Sequence, residues 1–474
     1  MARHIRRAAT GGMIALMLTV PLVFAQSAAE PAGPPVKAVP RLVLTLGTGL
    51  THDDNQSLSP TAPDAVTTLD SRFGLAFNTA THDQALSFSI GGLLRAETGN
   101  KVGNGAGGGG LRFRDPSADL KYRRDGADSR LTLTGLFRRA PVDLFEPQVA
   151  SDGTASPTDV IVTDGTITTK TAGVTFETGL SGPLGFDLAG NYSGRSYSDT
   201  SDPDVFDSTS SRLSGGVHLR MASGDMFSLT ALGTEQEYQN ADQTSRRSHN
   251  LSFGYSRNLR PDLRLTAALG YGEATSRRAG GVTDRSSGLI GSLELERSLS
   301  NGVLSFTLAG TRDPLGARQS LSFGRSLTLR TGSLAATVGL AARDGGDAQV
   351  VGSLSYAHKL PRDSFGIEVS REVSLNGDNA DVANTVLAMT YQHQLSEVSA
   401  FSVSLKALAT GSGGAGTVTD VARQTLRATY SHDLAADWQL TTGYQYRHLD
   451  SSTTGTADSN SLFLTINRKF TLLP

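Results

Sequence analysis

From Arg41 onward the chain is written in period two. In one segment Leu86, Phe88, Ile90, Gly92 and Leu94 take every second place, with Ser87, Ser89 and Gly91 between them. In another, Leu131, Leu133, Gly135 and Phe137 alternate with Thr132 and Thr134. Such spacing puts the two sets on opposite faces of a β-strand. Segments of this kind recur about every twenty residues up to the C-terminus. Tight turns and longer polar stretches join them alternately. Thr81-His82-Asp83, Ser300-Asn301-Gly302 and Thr331-Gly332 are short and rich in residues that tolerate hairpin conformations. Residues 51–65, 97–110 and 141–166 are long. Alternating connection lengths are what a closed barrel spanning a membrane produces, with turns at one end and loops at the other. The expected fold is all-β: a closed antiparallel transmembrane β-barrel, an up-and-down meander. Twenty-two segments are read between 41–49 and 460–471, and 18–22 strands fit the pattern.

Composition agrees with this and restricts the alternatives. Only 38% of the 474 residues are hydrophobic, little for one large soluble core. A membrane barrel needs less, because its apolar residues face lipid and its interior is polar. Closure follows from the solvent: in hydrocarbon every backbone N–H and C=O must be paired, so an open sheet edge is not tolerated. A secreted β-solenoid or multi-domain sandwich is the soluble alternative. Segments of 10–14 residues exceed the five or six usual in soluble sheets. A net charge of −2 supplies no basic field for a nucleic-acid partner. The absence of Cys excludes disulfides and thiolate metal sites.

The N-terminus reads as an export signal over residues 1–25. Arg3, Arg6 and Arg7 precede the apolar run Gly11–Phe24, which is too short for a comfortable membrane helix. Val23-Phe24-Ala25 before Gln26 is one cleavage site and Ser27-Ala28-Ala29 a second. Residues 26–40, with Pro31, Pro34, Pro35 and Pro40, form a periplasmic linker, and 41–474 form a single barrel domain. Twenty-two-stranded transporters carry a plug, and 26–40 is too short to fold as one. Either loops narrow the lumen, with Pro141–Thr166 the longest candidate, or the strand number is lower.

The last segment places Leu462, Leu464, Ile466 and Phe470 in alternation, interrupted by Arg468, towards a near-terminal aromatic. With the signal region and the repeating strands, the chain resembles a Gram-negative outer-membrane β-barrel of the porin-like kind. The resemblance implies insertion by the barrel-assembly machinery and contact with outer-membrane lipid and lipopolysaccharide. The strand parity then puts both termini in the periplasm and eleven loops outside.

If the apolar set faces lipid, the alternate set lines the lumen. It contains Arg112, Arg114, Lys121, Arg123, Glu177, Asp187, Arg195, His218, Arg220, Arg264, Glu294, Glu296, Glu368, Glu372, Lys406, Arg427, Gln445 and Arg447. Such charges either line a permeation path or pair across strands and stiffen the wall. The basic run Arg112–Arg124 is the best candidate for an anion-attracting patch. Arg325 breaks the scheme: Leu321, Phe323, Leu327 and Leu329 put it on the lipid face, so a bulge or a shifted register is expected there.

Catalytic motifs are few. Gly103–Gly108 matches G-x-G-x-x-G with no helix pattern after it, so it reads as a loop. No nucleophile elbow, zinc motif or phosphate loop occurs. Asp53-Asp54-Asn55 and Asp199, Asp202, Asp204 and Asp207 are oxygen-rich loops that either bind Ca²⁺ or are simply solvated. The expected function is passive passage of small hydrophilic solutes, with no enzyme activity, no cofactor and no resident metal. The alternative is a structural or surface-interaction barrel whose loops are a binding surface. Nothing in the sequence marks an oligomer interface.

Overall fold

The computed structural model describes residues 40–60, 65–99, 111–141, 165–200, 205–413, 418, 420–453 and 455–473. The expected signal (1–25), most of the expected linker (26–40), residues 103–108 and residues 142–164 lie outside the described residues.

Twenty-two strands are formed among the described residues. The first eight are β1 (Arg41–Asp53), β2 (Val66–Ala80), β3 (Gln84–Gly99), β4 (Arg112–Asp125), β5 (Ser129–Pro141), β6 (Thr166–Thr178), β7 (Leu184–Ser198) and β8 (Ser208–Arg220). Next come β9 (Met226–Tyr238), β10 (Ser245–Arg260), β11 (Leu263–Arg277), β12 (Thr283–Leu299), β13 (Gly302–Asp313), β14 (Gly316–Leu329) and β15 (Gly332–Arg343). The circuit ends with β16 (Gln349–Lys359), β17 (Asp363–Leu375), β18 (Asp381–Gln394), β19 (Ser399–Ser412), β20 (Val421–Ala435), β21 (Trp438–Ser451) and β22 (Gly455–Leu473). Each pairs antiparallel with its sequence neighbours. β1 pairs with β22 from Asp53↔Ser461 to Leu42↔Leu473, with one bulge at Leu42/Val43, and this closes the barrel. The shortest strand has 11 residues and the longest 19, enough to cross a hydrocarbon core at a tilt.

Register carries one apolar stripe round the circumference. Leu44 pairs with Leu75, Leu75 with Ile90, and Phe88 with Leu120, all of one parity. Farther round, Phe253 pairs with Leu269 and Phe306 with Phe323. These side chains point away from the rest of the protein: Leu289 is 71% exposed and Val338 60%. Exposed apolar residues in such numbers belong against lipid, not water. At the short-turn end the stripe closes with aromatics, among them Tyr122, Phe227, Tyr255, Phe365, Tyr391, Tyr430 and Trp438. Phe227 and Tyr255 are 5.2 Å apart between ring centroids. A ring of this kind marks a membrane–water interface, and Tyr and Phe supply most of it.

Two irregularities expected from the sequence resolve here. Arg325 pairs with Leu304 in unbroken register, so it does lie on the lipid face and no bulge rescues it. Its guanidinium instead reaches the β12–β13 turn and donates to Asn301 Oδ1 at 2.7 Å, at the level of the interface. Arg468 faces outward too. It stacks over Trp438 at 5.0 Å and Phe470 at 4.4 Å, so it belongs to the aromatic ring. The last connection is shorter than expected: β21 and β22 extend until residues 452–454 alone separate them. Ten short turns and eleven other connections remain, with Arg41 and Leu473 at the short-turn end.

Candidate functional site

The polar face is the concave one. A recess of ≈ 520 Å³ gathers polar-face side chains from six successive strands, including Glu177, Asp187, Arg212, Thr230, Ser252 and Thr266. A second, of ≈ 450 Å³, lies at the short-turn end beside Arg41, Lys121 and Arg123. The barrel interior is the candidate site.

Register sets Arg112, Arg114, Lys121, Arg123, Glu177, Asp187, Arg195, His218, Arg220, Arg264, Glu294, Glu296, Glu368, Glu372, Lys406, Arg427, Gln445 and Arg447 on this one face. They do not converge on one point. Glu177 and Asp187 stand on β6 and β7 among the basic residues of β4 to β8, and Lys406, Arg427 and Arg447 on β19 to β21 stand near Glu368 and Glu372 on β17, so both signs of charge occur on opposite sides of the lumen.

Some of these side chains are tied down locally. His218 Nε2 meets Asp187 Oδ1, and the Asp187 carboxylate lies where a side chain on Gly216 would sit. Arg220 donates to the carbonyls of Gly179 at 2.6 Å and Gly182 at 3.1 Å. Arg427 stacks over Phe463 at 4.4 Å. Arg447 is buried and donates to Asp53 Oδ2 at 2.8 Å and to the carbonyls of Asn55 and Gln56. That pair pins the β1–β2 loop, so Asp53 is a structural counter-ion. Asp54 accepts from the Asn460 side chain at 2.8 Å. The oxygen-rich pattern of this loop is thus consumed by internal bonds. In the other acidic loop Asp207 accepts from the Tyr197 backbone N–H at 2.9 Å, while Asp202 and Asp204 lie outside the described residues. Among the described residues no group of His, Asp and Glu is arranged to hold a metal.

One feature had no sequence signal. Outward parity on β17 runs through Ile367, Val369 and the exposed Arg371, then continues to Val373 and Leu375, which are 0% and 7% exposed. The top of the β17–β18 hairpin therefore lies inside the wall as a second layer. Asp381, fully buried, accepts from Arg318 Nη2 at 2.7 Å and Arg343 Nη2 at 2.8 Å, and Arg343 also donates to Asp313 at 2.8 Å. Arg318 meets Asp313 as well. Two arginines and two aspartates thus neutralise one another out of water, and β14 and β15 hold the hairpin. The tip at 376–380 reaches the β9–β11 wall. Asn240 donates to Asp378 Oδ1 at 2.7 Å, Arg246 donates to Asn379 Oδ1 at 2.9 Å and to the Asn376 carbonyl, and Asn379 Nδ2 donates to Ser276 at 3.1 Å. Asn379 sits at φ +60°, a left-handed turn that Asn tolerates. The inward-folding segment seen here is thus the β17–β18 tip, whereas the segment expected to do this, 141–166, lies mostly outside the described residues.

No family model and no curated protein matches the sequence. Solved structures match the fold. The FrpB iron transporter from Neisseria meningitidis, F5-1 variant, has a TM-score of 0.56 at 12% identity, covering 92% of this chain and 83% of that one. Its F3-3 variant gives 0.55 at 12% identity, with 91% and 82% covered. The ferric-catecholate import receptor Fiu from E. coli K12, in its open form, gives 0.54 at 11% identity, with 93% and 82% covered. The chain has the fold of an outer-membrane β-barrel. At these identities the likeness is one of architecture.

Proposed function

We propose that this protein is an outer-membrane transport barrel that passes small hydrophilic solutes passively, filtered by size and charge. The observation that carries the reading is the concave face. Charged and hydroxylated side chains cover it strand after strand, and a locked hairpin tip narrows it from the β9–β15 side. Water and solute replace what a soluble protein would fill with a core. Arg112 and Arg114, at the loop end of β4, are the patch that first attracts anions. The names of the matched structures, an iron transporter and a ferric-catecholate import receptor, support transport as the class. The reading requires no chemistry and no cofactor.

The orientation that goes with it has both termini in the periplasm and the longer loops outside. Arg139 and Lys170, exposed and outward-facing near the loop end, suit the phosphates of lipopolysaccharide. The barrel-assembly machinery would act on β22.

Purified, refolded barrel in planar bilayers tests the proposal. Stepwise, ohmic conductance is expected, rising when residues 376–380 are deleted. A folded barrel without conductance in either form overturns it. Loop deletions that abolish cell-surface binding while conductance persists would favour the surface-interaction alternative.

A further inference from the structure

The larger lumen recess holds six charged side chains, and five have a partner. Asp187 and His218 meet each other; Glu177 lies 3.7 Å from Arg130; Arg220 is held by two carbonyls; Arg264 donates to Ser256 at 3.1 Å. Arg212 has none among the described residues, although it is half-buried. Its register partner across β8–β9 is Thr234, whose hydroxyl is buried and makes no hydrogen bond. Below them Ser214, Thr230 and Ser252 face the same space, and none is tied to another described side chain. The β17–β18 tip is seated on Arg246 and Ser276, nearer the loop end of the same wall.

An unpaired guanidinium held away from bulk water is costly unless something anionic meets it, and its planar fork is matched by an oxyanion. Unpartnered hydroxyls within the same recess match the hydroxyls of a polyol. We infer that this recess is a binding site for a small hydroxylated oxyanion, a sugar acid or sugar phosphate, with Arg212 holding the anionic group. The inference rests on the transport reading and narrows it to a solute class. It differs from the patch at Arg112 and Arg114, which attracts anions without enclosing them. Arg212 raises the local concentration of such solutes inside the barrel, so their flux saturates where that of a neutral polyol does not.

The test uses the refolded full-length barrel, with gluconate, glucose 6-phosphate and sorbitol as probes. In planar bilayers, gluconate or glucose 6-phosphate is expected to block the chloride current saturably, and sorbitol is not. Whichever anion blocks at lower concentration identifies the anionic group preferred. Arg212→Gln is expected to raise the half-blocking concentration about tenfold. Arg325→Gln, on the outer face of the barrel, leaves it unchanged. Block by both anions that is identical in wild type and Arg212→Gln overturns the inference, as does a conducting wild type that neither anion blocks. Equilibrium dialysis of labelled gluconate and glucose 6-phosphate against detergent-solubilised barrel reads the site without conduction. Binding lost in Arg212→Gln then upholds the site even if the pore reading fails, and absence of binding sinks it even if the pore conducts.

Discussion

At the scale of single residues, depth in the membrane decides what a charge costs. Leu308 is outward-facing in the middle of β13, whereas Arg325 is outward-facing but anchored to the turn through Asn301. An arginine on the lipid face costs about 2–4 kcal/mol at the bilayer midplane and about 0–1 kcal/mol near the interface. Leu308→Arg should therefore destabilise the folded barrel by about 2–4 kcal/mol, and Arg325→Leu should change it by less than about 1 kcal/mol. Thr307→Arg, one residue along β13 and facing the lumen, should be tolerated far better than Leu308→Arg. Urea unfolding in lipid vesicles reads all three; equal costs at 307 and 308 would contradict the assignment of faces. A different balance holds at Asp381. It is fully buried between Arg318 and Arg343, and removing one member of a buried ion cluster strands the others. Asp381→Ala should cost about 3–5 kcal/mol in the stability of the hairpin tip, seen as new protease cleavage within 376–380.

At the scale of elements, the strands were legible and the tip was not, for one physical reason. A strand with one face in lipid and one in water must alternate residue by residue, so sequence carries its period directly. That is why all 22 strands and the exceptional status of Arg325 could be read without coordinates. The seating of the β17–β18 tip depends on Arg246 and Asn379, 133 residues apart, and on Asp381 and Arg318, 63 apart. No local period encodes such partners. The one available hint is compositional: Asn376, Asp378, Asn379 and Asp381 are polar residues set between apolar strand ends. The Arg212 site was missed for a related reason, since its identity lies in which charges have partners. Turns also tie to one another across the barrel end. Asp128, between β4 and β5, accepts from the Ser181 hydroxyl at 2.6 Å and its backbone N–H at 2.7 Å. The Ser181 hydroxyl and then its N–H hold the Asp128 carboxyl below its ordinary value. A carboxylate depressed in the folded state contributes stability above its unfolded pKa, about 3.9, and loses it as pH falls through the lower folded value. The Ser181 amide resonance should therefore titrate with a midpoint below that of free aspartate. Asp128→Asn should abolish the transition, and a midpoint at or above the free value would show that the tie does not form.

At the scale of the whole molecule, sidedness joins the membrane belts to function. The start of β1, the end of β22 and the ten short turns share one end, next to the aromatic ring of Tyr255, Phe365 and Trp438. The eleven other connections, the β17–β18 tip, Arg112 and Arg114 share the other. On the proposed transport reading, a solute entering from the loop side would meet Arg112 and Arg114 first and then pass the recess at Arg212. Entering from the turn side, it meets the recess beside Arg41, Lys121 and Arg123. The two orientations therefore make different filters from the same lumen, which makes topology a functional quantity. Epitope tags decide it. A tag between Asp344 and Ala348, in the β15–β16 loop, should be labelled on intact cells. One between Arg330 and Thr331, in the β14–β15 turn, should be labelled only after the outer membrane is permeabilised. Labelling of the turn tag on intact cells would invert the barrel and make the basic recess at Arg41 the outer vestibule. Labelling of the loop tag alone fixes the order in which an anion meets the patch and Arg212.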